Sequence, residues 1–88
     1  MGIFGQKLFV VSRSAHRAIM DCSNSKKEFD TNKFYETVRR AEGQLHSSHY
    51  AANRAEFGGE MAVFARELRE VLDWVTAHPG KPFKVKPR

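Results

Sequence analysis

The sequence predicts an all-α fold: three helices packed as a bundle or a long helical hairpin, forming a single helical domain over residues 1–80, with a basic tail over 81–88. Three stretches carry that expectation. Met61, Phe64, Ala65, Leu68, Val71, Leu72 and Val75 recur at steps of three and four, the spacing that stacks side chains on one face of a helix. Phe4, Leu8, Val11, Ala15, Ala18, Ile19 and Cys22 make a second such stripe, and Phe34, Val38, Ala41 and Leu45 a third.

The first helix is expected over 3–22 because its apolar spacing persists for about five turns, longer than strands usually run. The alternative is an α+β fold with a small two-stranded pairing of residues 7–12 and 83–86. Lys7-Leu-Phe-Val-Val-Ser12 is rich in strand formers, and Phe83-Lys-Val-Lys86 alternates like an edge strand with Phe83 and Val85 inward. Ser12 and Ser14 are then placed to cap a helix that begins there. The acid-free, arginine-bearing N-terminal stretch also has features of an interfacial membrane helix or a transit peptide, but Ala15, Ala18 and Cys22 suit packing on another helix better than lipid.

Residues 21–30 form the first connection. Ser25 and Glu28 have capping-box spacing, yet Asp30-Thr31 is the better helix start because the stripe from Phe34 begins just beyond it. The second helix is expected over 31–57, weakening into Ser48, Ala52 and Ala55, with an interruption expected near Gly43 or His46-Ser-Ser-His49. The third, over 60–77, is bounded by Gly58-Gly59 and His78-Pro79-Gly80. Its other positions, Glu60, Arg66, Glu67, Arg69, Glu70 and Asp73, read as a solvated face, with Arg66/Glu70 and Arg69/Asp73 four apart. Trp74 lies off the stripe. It either packs on the N-terminal segment or the C-terminal tail, or stands exposed as an anchor for a partner.

A chain of 88 residues with one cysteine has a small core and no internal disulfide or zinc-ribbon pattern to hold it, so self-association is expected. The longest apolar run, Leu8-Phe9-Val10-Val11, is far short of the roughly 18 residues that cross a bilayer, and a cytoplasmic location without a membrane span is the expectation. The net charge of +5 is concentrated at the ends: Lys7, Arg13 and Arg17 in residues 1–20 and Lys81, Lys84, Lys86 and Arg88 in residues 81–88, with no acid in either stretch.

Few side chains suggest chemistry. Glu42, His46 and His49, followed by Asn53 and Glu56, recur one helical turn apart, the arrangement that converges imidazole and carboxylate on a metal. Arg40 and His46, with five residues between, resemble the arginine-to-histidine spacing of small helical ribonucleases, which would imply a histidine acid/base and an arginine on phosphate. The polar residue usual beside that arginine is here Ala41, and those domains are usually longer than this chain. Gly58-Gly59 lacks the lysine and the strand of a phosphate loop, and Cys22 sits on an apolar face.

The function expected from the sequence is that of a small non-enzymatic binding protein, an adaptor, inhibitor or regulator that self-associates and contacts another protein through Trp74, Tyr50 and Phe57. No cofactor is implied. The first alternative is a nucleic-acid accessory protein that holds phosphates with Arg13, Arg17, Lys81, Lys84, Lys86 and Arg88. The second is a metal-binding helical protein using Glu42, His46 and His49.

Overall fold

The computed structural model describes residues 7–26, 28–46 and 59–88. In chain order these form strand β1 (Lys7–Val11), helix α1 (Arg13–Met20), helix α2 (Thr31–Leu45), helix α3 (Glu60–Ala77) and strand β2 (Phe83–Pro87). β1 and β2 pair in parallel, Lys7 opposite Phe83 through Val11 opposite Pro87, so the helices form the crossover that a parallel pair requires. The fold is therefore α+β and not all-α, and it corresponds to the alternative pairing of residues 7–12 with 83–86.

Two adjacent residues show why a helix over 3–22 is wrong. A helical stripe puts Leu8 inward and Phe9 outward, whereas Phe9 is buried and Leu8 is 48% exposed. The burial of Phe9 and Val11 against the exposure of Leu8 and Val10 has the period of two that a strand imposes. Ser12 then breaks the chain direction, and its hydroxyl caps α1 by accepting from the Ala15 amide at 3.3 Å. The stripe's second half survives, since Ala15 and Ile19 are the buried residues of α1. The segment 81–88, expected as a tail, is mostly β2, its Phe83 and Val85 half-buried against the core and its Lys84 and Lys86 exposed.

The connection between α1 and α2 is shaped by Asn24. Its side-chain oxygen accepts from the Lys26 and Glu28 amides at 2.8 and 3.0 Å, and its own amide reaches the Glu28 carbonyl. This turn delivers Phe29 to the core, and Asp30 caps α2 by accepting from the Lys33 amide, as the sequence indicates. Phe34, Val38 and Ala41 of α2 are buried, as are Ala65, Leu68, Val71 and Leu72 of α3. Each large side chain buried there contributes about 1.5–3 kcal/mol. α2 ends at Leu45, with the His46 amide drawn into a tight bond to the Gly43 carbonyl at 3.1 Å; the rest of the expected helix to 57 lies outside the described residues. α3 has the expected bounds, and Gly80 turns the chain toward β2 at a φ of 78°, a left-handed conformation that favours glycine.

An aromatic chain joins sheet and helices. Phe83 packs edge-to-face on Phe9 at 6.2 Å, Phe29 at 5.2 Å and Trp74 at 6.1 Å, and Phe29 passes the contact on to Phe34 at 5.4 Å. Such pairs are worth about 0.5–1.5 kcal/mol each beyond the area they bury. Phe83→Ala is expected to cost about 2–3 kcal/mol, against less than about 1 kcal/mol for Tyr35→Ala at an exposed position of α2. Urea denaturation followed by the fluorescence of Trp74, the single tryptophan, measures both.

Candidate functional site

The structure distributes the sequence-selected residues over several places. Trp74 is half-buried, edge-to-face with Phe9 at 6.0 Å and stacked on His78 at 4.4 Å, so its ring lies against both terminal segments in a second layer of the fold. Tyr50, Phe57 and His49 lie outside the described residues. Glu42 is held by Arg69 of α3 in a two-pronged pair, Nε to Oε2 at 2.8 Å and Nη2 to Oε1 at 2.6 Å, and Arg69 also reaches Asp73 at 3.5 Å. The Arg69 hydrogen bonds hold the Glu42 carboxyl below its ordinary range, and Glu42 in turn raises the arginine. His46 stands exposed at the end of α2, and Arg40 is exposed within it. Among the described residues no group of three or more His, Cys, Asp and Glu is placed to hold a metal ion, and no helix is long and apolar enough to cross a membrane. Cys22 is buried, its thiol donating to the Ala18 carbonyl at 3.2 Å.

The basic residues separate into three sets. Arg13 and Arg17, on the exposed face of α1, line a shallow hollow that also includes Pro87. Lys81, Lys84 and Lys86 line a different groove. Arg88 is paired with the fold from its surface: Nη2 donates to Glu67 Oε2 at 2.5 Å, Nη1 to the Val10 carbonyl at 3.1 Å, and its backbone amide to the Val11 carbonyl at 2.8 Å.

Glu67 was not legible as a structural residue. On the helical wheel it belongs to the solvated face of α3, yet it is 7% exposed and, among the described residues, the one charged side chain in the core. Its Oε1 accepts from the Ser12 amide at 3.0 Å and its Oε2 from Arg88. Both partners lie more than twenty positions away in sequence, so no local pattern signals them.

A groove of about 750 Å³ runs along β2, walled by Ile19 and Met20 of α1, Phe29 of the connection and Val75 of α3. Phe83, Lys84, Val85 and Lys86 all line it. Its other polar groups are Thr31, His78 and Lys81, and it contains no carboxylate. An apolar concavity of this size with a few polar groups at its margin is the usual form of a binding site. No protein-family model, curated protein or solved structure matches the chain.

Burial pushes the Glu67 carboxyl up, but the hydrogen bonds from Ser12 and Arg88 outweigh it and leave the group below the ordinary 4.5. A carboxyl depressed by folding contributes its stability in full above the unfolded value and loses it as pH falls through that value toward the folded one. The denaturation midpoint is therefore expected to hold steady above about pH 6 and to fall below it. Glu67→Gln should lower stability at neutral pH by about 1–3 kcal/mol and flatten that acid slope, leaving the part due to Glu42. Urea melts of both proteins at a series of pH values test this; an unchanged slope in Glu67→Gln would show that folding does not shift the titration of this carboxyl.

Proposed function

We propose that this chain is a small non-enzymatic binding module, an adaptor, inhibitor or regulator, that acts by contacting another protein through the groove along β2. The single observation that carries this reading is the apolar wall of that groove, with Met20 standing 52% exposed at its margin. A chain of 88 residues has little apolar surface to spare from its core, so an open apolar groove is a costly feature to leave unfilled. Methionine, flexible and polarisable, suits a surface that receives a partner. Self-association through the outward sheet face, where Leu8 and Val10 are 48% and 49% exposed, belongs to the same reading.

A nucleic-acid accessory function is the second reading. The observation in its favour is the parallel register, which sets Lys84 and Lys86 beside Leu8 and Val10 and brings Pro87 next to Arg13 and Arg17. The two basic segments, far apart in sequence, thereby become neighbours, although Arg88 is committed to Glu67. Five phosphate contacts would lose affinity by about 10²–10³ over a fourfold rise in salt.

Selection of displayed random peptides on the chain, run beside titration with mixed-sequence duplex DNA at about 50 and 200 mM salt, separates the two readings. The expected outcome is enriched peptides whose binding drops at least tenfold in Met20→Glu, an exposed position where the fold persists, with DNA bound weakly. No enriched peptide, together with tight and steeply salt-dependent DNA binding, would replace the first reading with the second.

A further inference from the structure

We propose that the groove takes an extended acidic peptide of another protein, a run in which apolar residues alternate with Asp or Glu, added to β2 as the third strand of the sheet. This deepens the protein-binding reading and rests on it.

The groove runs along a strand edge. Side chains of consecutive strand residues alternate between the two faces of a sheet, yet four consecutive residues, Phe83 to Lys86, line the groove, and no residue of β1 does. A concavity reached from both faces of β2 but not from β1 lies along the edge of β2 that faces away from β1.

The backbone groups on that edge follow from one hydrogen bond. The Arg88 amide donates to the Val11 carbonyl at 2.8 Å, so in a parallel ladder the amides and carbonyls of Lys84 and Lys86, in phase with Arg88, also point to β1. Those of Phe83 and Val85 then point into the groove, and no described residue outside the strands bonds to them. Pro87, in phase with Phe83 and Val85, has no amide hydrogen to offer, and its position on the outward side costs the ladder nothing. The opposite edge of the sheet is different over its last residues: the Val10 carbonyl accepts from Arg88 and the Ser12 amide donates to Glu67. An unpaired edge beside an apolar trough is the arrangement that receives an added strand, with main-chain bonds giving affinity and alternate side chains giving specificity.

Charge selects the occupant. Lys81, Lys84 and Lys86 line the groove and no acid does. On a strand laid beside β2, residues on the outer face stand next to Lys84 and Lys86, where an acid gains about 0.2–1 kcal/mol per pair and a base loses it. Residues on the inner face stand next to Phe83 and Val85, over Phe29 and Ile19, and must be apolar. A second copy of this chain fails the same rule, because β2 against β2 sets lysine beside lysine.

The test uses the full chain, labelled for NMR, and the capped hexapeptide of alternating valine and glutamate, long enough to span β2. The amide signals of Phe83 and Val85 should shift on titration, and their hydrogen exchange should slow at least tenfold. The alternating valine and lysine peptide should bind at least tenfold more weakly, and the Lys84→Glu/Lys86→Glu double variant should reverse that preference. Of two glutamate peptides N-methylated on opposite sets of alternate amides, one should lose at least tenfold in affinity and the other should match the parent. If the peptide shifts the signals of Met20 and Phe29 but leaves the exchange of Phe83 and Val85 unchanged, and both methylated forms bind equally, strand addition is overturned while the protein-binding reading stands. If the glutamate peptide does not bind and duplex DNA does, both fall.

Discussion

The Glu67 carboxylate is the constraint on which the sheet depends. From the middle of α3 it accepts the amide of Ser12, where β1 gives way to α1, and the guanidinium of Arg88, just beyond β2. An isolated pair of strands is not stable in water, and these two lie on opposite sides of a crossover of some seventy residues, so closing that loop has an entropic cost no strand propensity covers. Glu67 fixes both strand ends to one helix and so sets their relation to each other. A buried carboxylate is itself expensive, and here the charge-assisted bonds at both oxygens offset the cost. Remove either partner and the penalty returns in part, which makes the corner cooperative.

The other end of β2 is held by different physics. Phe83 sits among Phe9, Phe29 and Trp74, a contact made of apolar area and ring geometry with no net charge. β2 is thus pinned at its start by aromatic packing and at its end by Arg88, with β1 along one side. Lys84 to Lys86, between the two pins, keep one edge open to the groove. The groove is a consequence of this suspension: α1 and Phe29 come close enough to form a wall, and α3 ends at Ala77, before the turn at Gly80, without covering the strand.

What the sequence made legible is what local physics decides. The start of α2 at the Asp30 cap and both ends of α3 follow from capping, proline and glycine, which act within a turn. β1 reads as helix because Leu8, Val11, Ala15 and Ile19 satisfy a helical spacing across a real strand-to-helix break, and Phe9, the residue that contradicts it, finds its ring partners far along the chain. Its partners are Phe83 and Trp74. The alternation of Phe83-Lys-Val-Lys86 was visible, but its pairing with β1 is a tertiary fact. Glu67 was hidden for the same reason, and Glu42, grouped by spacing with His46 and His49, is claimed by an arginine on another helix. The groove needed the fold, since its walls come from four separate segments.

The lysines of β2 join these levels. An exposed strand edge is a hazard, and lysine on the edge is a common protection, because two copies that meet there repel. The same charges that keep β2 from its own kind lower the energy of an acidic strand laid beside it. The positive character of residues 81–88, read from the sequence as a basic tail, is in the fold placed along one groove by Lys81, Lys84 and Lys86. With Arg88 paired to Glu67, the two lysines of β2, Lys84 and Lys86, are spaced by the strand, not by a flexible coil, and what they favour is an extended chain with acids at every second position.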